Sequence, residues 1–366
     1  MSKWEMVRLV DVCEVVSGTT PSTRNPELWD GDVKWIAPAE ISDDSYFIYD
    51  TVKHISEKAG LNPMPVGTVL LSSRAPIGKV AIAGSEMCCN QGFKNLICSE
   101  KMHNRYLYRF LKSKTEYLNS LGRGATFKEI SKPIVEQIQI PLPPLSVQQK
   151  IADVLDKASA LIEKRKAQID KLDLLIKSKF IEMFGDPVTN PKGWKKDLWP
   201  SLFNTTTGKL DSNAMNANGE YPFFTCAKEA FWIDTYAFDC EALILAGNNA
   251  AGIYDVKHYS GKFNAYQRTY VLTLKSKDNQ YSVYKYLLEL KLEQMRYSSK
   301  GTNTKYLTLG ILNKLEFIIP PITHQNEFAA YTKQVDERRS MLQQSLEKLE
   351  LNYKSLMQKC FRGEVF

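Results

Sequence analysis

The sequence has little histidine. Four residues in 366 stand far apart, at positions 54, 103, 258 and 324, and no spacing among them closes a zinc site. The seven cysteines (13, 88, 89, 98, 226, 240, 360) are an odd number with no Cys-x-x-Cys pair, and Cys88 and Cys89 are adjacent. That usage predicts reduced thiols in a cytoplasmic protein rather than a disulfide framework. No stretch reaches the roughly 18 uninterrupted apolar residues of a membrane helix. The opening MSKWEMVRLVDV carries Glu5 and Asp11 and lacks a signal-type apolar core. There is no Gly-x4-Gly-Lys-Ser/Thr phosphate loop, no Gly-x-Ser-x-Gly elbow and no His-Glu-x-x-His helix. Gly122-x-Gly124 is too short for a dinucleotide loop and follows a helical pattern. Asp278 with Glu289-x-Lys291 imitates a nuclease spacing, but YSVYKYLLELKLEQM reads as a helix, where that site needs strands. PLPPL and IIPPI lack the Asn/Asp-Pro-Pro-aromatic order that amino-methyltransferases set against a target amine. No catalytic constellation and no metal site is therefore expected.

Apolar residues at 43% and charged residues at 24% are ordinary for a globular chain, and the length predicts two or three domains. Within it lies a repeat. Gly124 to Phe184 can be laid on Gly301 to Phe361 without a gap, at an offset of 177. Lys128 falls on Lys305, Ile130 on Leu307, Pro143-Pro144-Leu145 on Pro320-Pro321-Ile322, and Gln148 on Gln325. Upstream the match is looser. Trp4 and Gly18 align with Trp194 and Gly208, and GTVLLSSRAPIGKV resembles CEALILAGNNAAGIYDV. The order is globule, helix, globule, helix, and the globules differ more than the helices do. The expected division is 1–145, 146–186, 187–321 and 322–366, an α+β fold with an internal pseudo-twofold repeat.

Ser146, just after two prolines, is the expected N-cap of the first helix, and Gly185-Asp186-Pro187 ends it. Leu155, Ile162, Ile169 and Ile176 recur every seven residues, with Leu172 on the other seam. Phe328, Val335, Leu342, Leu349 and Leu356 keep the same period in the second helix. Such heptads predict a coiled-coil pair. Connectivity makes the pair antiparallel, about 58 Å long at 1.5 Å per residue, and returns the C-terminus toward the first globule. Arg165, Lys179, Arg338 and Arg339 interrupt the seam; they are expected to pair across the helices or to sit at its edges.

Two globules on a rigid spacer suit a split duplex DNA site. Candidate contacts in the first globule are Arg74, Lys79, Gln91, Lys94, Arg123, Thr126 and Lys128. In the second they are Asn248, Asn249, Gln267, Arg268, Lys300, Asn303, Thr304 and Lys305. Arginine, asparagine and glutamine read base edges, while lysine and threonine suit phosphates. Tyr266, Phe263 and Phe223-Phe224 are candidates for stacking, although aromatic residues in strand-like runs are more often core. The net charge of +7 is spread thinly, as +1, +2, +3 and +1 over residues 1–145, 146–193, 194–321 and 322–366. Phosphate affinity from this chain alone should be modest.

GRGATFKEISKPIVEQIQIPLPPLSVQQKIADVLD and KGTNTKYLTLGILNKLEFIIPPITHQNEF, each opening a long helix after a variable globule, resemble the specificity subunit of type I restriction-modification systems. The resemblance covers essentially the whole chain. It implies two target recognition domains that each read half of a split double-stranded DNA sequence. It also implies that the helices set the unread spacer and dock two modification (methyltransferase) subunits. Two restriction subunits can join. The implied chain is non-catalytic and binds no cofactor. S-adenosylmethionine, ATP and Mg belong to the partners, and no membrane is involved. The competing expectation, motivated by the weak charge, is an adaptor whose helices tether two protein-binding globules.

Overall fold

The computed structural model describes residues 3–74, 76–124 and 128–366. The chain divides into two compact units, Met1–Lys166 with Gln344–Phe366, and Ala167–Gln343. Both long helices, Leu145–Phe184 and Ile322–Arg362, thus contribute one segment to each unit.

In the first unit a five-stranded sheet is assembled from Cys13–Ser17, Phe93–Cys98, Val69–Ser72, Val80–Ala83 and Phe47–Ile48, in that spatial order. Val69–Ser72 and Val80–Ala83 are buried along their whole length, as the apolar runs Val69–Leu71 and Val80–Ala83 require. The helix Asn104–Ser113 lies over this sheet, burying Tyr106, Leu107, Phe110 and Leu111 among Leu71, Ile82 and Leu96. The second unit repeats the plan. Phe203–Thr207, Thr269–Leu274, Phe238–Ala246 and Val256–Ala265 are neighbours in the same sequence, and the helix Tyr281–Ser298 covers them.

Register makes the correspondence exact to the residue. Ser17 pairs with Lys94 and Leu71 with Lys94, as Thr207 and Leu245 pair with Tyr270. Trp35 and Ile36 run parallel to Cys88 and Cys89, as Phe223 and Phe224 run parallel to Asn264 and Ala265. The outlying hairpin is part of one six-stranded sheet in the second unit. In the first it forms a separate sheet, and Phe47–Ile48 takes the vacated edge.

The Pro-Pro-apolar-x-x-Gln element is a latch. Gln148 is fully buried. Its Oε1 accepts the His103 N–H (2.8 Å) and its Nε2 donates to the carbonyls of Lys101 and Pro143, both at 2.9 Å. Gln325 does the same with the Gln280 N–H (3.0 Å), Asn279 Oδ1 (3.2 Å) and the Pro320 carbonyl (2.9 Å). Each glutamine ties the start of a long helix to the N-terminus of the helix lying on its sheet. His103 and Gln280 are also 177 apart, so the ungapped repeat begins some twenty residues before Gly124. The expected N-cap, Ser146, is instead the second helical residue. The helix starts at Leu145, and the Pro144 carbonyl accepts the N–H of Gln148 at 3.0 Å. A proline fits there because it has no N–H of its own to satisfy.

The helices run antiparallel within each unit. In the first, Ile151 and Leu155 share a core with Cys360 and Phe361, and Lys166 bonds Glu350 at 3.1 Å. In the second, Phe180 and Phe184 pack on Phe328, and Arg339 bonds Asp173 at 2.6 Å. The C-terminal segment therefore lies in the core of the first unit. None of the ten seam residues is exposed: Leu155, Leu172, Phe328 and Val335 are buried, and Ile162, Ile169, Ile176, Leu342, Leu349 and Leu356 are half-buried. Of the interrupting cations, Arg339 crosses to the other helix and Lys179 pairs with Glu182 on its own. Arg165 is half-buried, and Arg338 is exposed.

The two units anchor these helices by different chemistry. In the first, Asp156 accepts hydrogen bonds from Tyr46 (2.8 Å), Arg105 and Arg109 (2.8 Å). Arg105 also reaches Asp153 (2.8 Å), and Arg109 donates to the Tyr353 hydroxyl (3.0 Å). Arg109 is only 5% exposed. In the second unit Tyr286, 177 positions after Arg109, packs its ring 4.3 Å from Phe180, and Phe180 lies 5.4 Å from Phe328. Lys333, in the place of Asp156, is exposed.

Candidate nucleic-acid interface

Each unit gathers three distant segments at one end of its sheet. In the first, the Ser73 N–H donates to the Gly92 carbonyl (2.7 Å), and the Ser73 carbonyl accepts the Ile130 N–H (2.9 Å). In the second, Gly247 takes the same two bonds, to the Arg268 carbonyl (2.9 Å) and from the Leu307 N–H (2.8 Å). Ser73 and Gly247 are thus equivalent, and so are Arg74 and Asn248, the next residues. Paired backbone bonds link Arg123 with Glu129 and Lys300 with Tyr306 in the two glycine-rich segments. Gly124 and Gly301 have φ of +127° and +95° there, which a side chain would oppose.

This junction collects most of the candidates. Arg74, Gln91, Lys94, Arg123 and Lys128 meet in the first unit; Asn248, Asn249, Gln267, Arg268, Lys300 and Lys305 meet in the second. Asn303 and Thr304 are exposed between Lys300 and Tyr306, and Thr126 lies outside the described residues. Lys79 is half-buried, its carbonyl bonded to the Ser72 N–H (2.9 Å). Among the aromatic candidates, Phe223, Phe224 and Phe263 are core residues, while Tyr266 is half-buried in the turn that carries Gln267.

The shared backbone carries contrasting side chains. In the first unit Lys94 is buried, and its ammonium bonds Glu129 (3.1 Å) and Ser73 Oγ (3.4 Å). Arg74 bonds the other oxygen of Glu129 at 2.9 Å. Burial pushes the Glu129 carboxyl up, but the hydrogen bonds from Lys94 and Arg74 outweigh it and hold the group below its ordinary range. Lys94 is therefore engaged inside the protein, while Arg123 and Lys128 are exposed beside it. Gln91 contacts Thr20, whose hydroxyl also accepts from Asn90 Nδ2 (2.8 Å).

In the second unit the places of Arg74, Lys94 and Glu129 are taken by Asn248, Tyr270 and Tyr306, so uncharged side chains stand where the first unit has its ion-paired cluster. A cleft here has a volume of about 460 Å³ and is lined by Thr207, Asn248, Gln267, Arg268, Tyr270 and Tyr306. Asn248 Oδ1 accepts from the Cys226 thiol at 2.8 Å, and Gln267 Nε2 donates to Asp211 Oδ2 at 3.2 Å. Glu129, Cys226, Asp211 and Tyr306 were not foreseen as members of these sites. The offset of 177 between Glu129 and Tyr306 was a usable signal for two of them; nothing local marks Cys226 or Asp211.

Among the described residues no group of histidine, cysteine and carboxylate side chains could hold a metal, and no helix is long and apolar enough to cross a membrane.

Two α+β units of one plan, each presenting a polar junction built of different side chains and each holding a segment of both long helices, define a duplicated recognition scaffold. Residues 1–172 and 191–351 match the type I restriction modification DNA specificity domain, and the chain belongs to that family. It is 31% identical to the MjaIX specificity subunit of Methanocaldococcus jannaschii, over 97% of this chain and 89% of that one. It is 34% identical to the EcoDI specificity subunit of Escherichia coli over 42% of this chain and 34% of that one. The fold is shared with the type I S subunit of M. genitalium, at a TM-score of 0.62, 14% identity and coverage of 98% and 96%.

Proposed function

We propose that this chain selects the DNA sequence for a type I restriction-modification complex. Each unit reads one half of a bipartite duplex through its junction, and the two helices fix the unread spacer between the halves. The observation that carries this reading is the pair of equivalent junctions: one backbone holds Arg74, Lys94 and Glu129 in one unit and Asn248, Tyr270 and Tyr306 in the other. A scaffold kept constant while its polar tips change is what two different half-sites require.

Two methyltransferase subunits dock on the helices and supply the chemistry with S-adenosylmethionine. Restriction subunits, with ATP and Mg, join the same assembly. This chain is non-catalytic and acts in the cytoplasm. Exposed apolar side chains on the helices support the docking role: Leu161 and Leu351 in the first unit, and Leu174, Leu175 and Met341 in the second. Apolar groups spaced along a helix are what a partner surface buries. The low net charge fits a division of labour in which partners contribute most phosphate contacts.

Methylome sequencing of a host with and without this gene tests the reading. A split adenine-methylated motif should be present only with the gene. Identical methylomes in the two strains, with the methyltransferase expressed in both, would contradict it.

A further inference from the structure

Asparagine and glutamine each carry an acceptor oxygen and a donor NH2, and which end is free decides which base edge they can meet. In the second unit the two carboxamides of the cleft are held by opposite ends. The Cys226 thiol donates to Asn248 Oδ1 at 2.8 Å, so the oxygen is the anchored end and the amino group is the end left to donate. The Asp211 carboxylate, an acceptor only, takes one hydrogen of Gln267 Nε2 at 3.2 Å, so the amino end is the anchored one and the carbonyl oxygen is the end left to accept. The backbone fixes both neighbours. Cys226 also lies 3.5 Å from the Arg268 carbonyl and 3.8 Å from Thr269 Oγ1. The Gln267 N–H is bonded to the Leu210 carbonyl (2.9 Å), beside Asp211. Gln267 and Arg268 are exposed, Asn248 is half-buried, and all three line the same 460 Å³ cleft.

We propose that this arrangement sets the polarity of readout in the second half-site. Asn248 donates to a major-groove acceptor (purine N7, guanine O6 or thymine O4). Gln267 accepts from an exocyclic amino group, adenine N6 or cytosine N4. Cys226 is a positioning residue: it touches no base and orients the amide that does. The inference rests on the DNA-reading function proposed above and adds the direction of each hydrogen bond. The equivalent place in the first unit holds Arg74, tied to Glu129, so the device belongs to one half only.

The test uses the full chain in complex with its methyltransferase partner and the duplex that the methylome identifies. Cys226→Ala frees the Asn248 amide to rotate, whereas Cys226→Ser keeps an O–H donor in the same place. The alanine variant should relax selectivity at one base pair of the second half by about tenfold, leave the first half unchanged, and be rescued by serine. Asn248→Asp removes the donor and should weaken methylation at that same base pair. A readout independent of folding is alkylation of Cys226 by N-ethylmaleimide in the unmodified complex, followed by mass spectrometry. The duplex should protect the thiol, a duplex with a scrambled first half should still protect it, and one with a scrambled second half should not. Duplex binding with unchanged selectivity in the alanine variant, or without protection of Cys226, overturns the assignment alone. Failure of the unmodified complex to bind any duplex overturns the function it rests on, and the assignment with it.

Discussion

Replacing Asp156 by alanine is expected to cost about 3–5 kcal/mol of stability, the range for breaking a buried ion pair by removing one partner. The carboxylate accepts from Tyr46, Arg105 and Arg109 at once. Arg105 keeps Asp153 when it is gone, but Arg109, almost wholly buried, keeps among the described residues the Tyr353 hydroxyl and the neighbouring Tyr46 and Tyr108 rings, none of them an anion. A guanidinium cannot shed its proton to escape the low-dielectric site. Lys333→Ala, at the corresponding place in the second unit, should change stability by less than about 0.5 kcal/mol, as exposed surface substitutions do. Urea unfolding of the full chain, followed by tryptophan fluorescence, measures both. The sign with pH follows from the same contacts. Burial raises the Asp156 carboxyl, but the hydrogen bonds from Tyr46, Arg105 and Arg109 outweigh burial and hold it below the ordinary value. A depressed carboxyl contributes stability above its unfolded pKa and loses it as pH falls through the folded one. The difference between the native chain and Asp156→Asn should therefore be full at pH 6 and shrink below about pH 4.

The second large effect is expected at two glycines. A Cβ on Gly18 would lie 2.0 Å from the Asn90 carbonyl oxygen, and one on Gly208 would lie 1.8 Å from that of Ala265. Both obstacles are backbone, and both belong to the turns that carry Gln91 and Gln267. Neither glycine needs a positive φ; what each provides is close approach. Alanine at either place must displace the turn, at about 3 kcal/mol, the upper end of the range for overpacked cores. Gly310→Ala is the control, because its Cβ would meet nothing nearer than 3.8 Å and it sits in the helix Leu309–Leu312. That change should be neutral or stabilise by up to about 1 kcal/mol. Thermal unfolding of the three variants checks the order. Gly208→Ala should also impair recognition of the second half-site before that of the first.

The helices and the paired Pro-Pro-apolar-x-x-Gln elements were legible in the sequence because their job is the same in both halves. Gln148 and Gln325 bind helix N-termini, which have the same backbone whatever the side chains. The repeat upstream was harder to follow because equivalent places do equivalent work with unlike residues. Arg109 and Tyr286 both anchor a long helix, one by charge and the other by ring packing, and no alignment of types connects them. Lys94 was expected among the DNA contacts, and the fold instead buries it. Only the fold places Glu129 against it. Asn248 and Gln267 were legible as polar turn residues, but their orientation was not. The groups that orient them, Cys226 and Asp211, lie 22 and 56 positions away.

Two equivalent junctions on one backbone should read their half-sites independently. The most direct measurement exchanges residues 1–140 for the equivalent segment of another family member and sequences the methylome of a host carrying the hybrid with the methyltransferase. The expected result is a split motif in which one half changes to the donor's and the other half stays as before. A motif altered in both halves, or in neither, would contradict it.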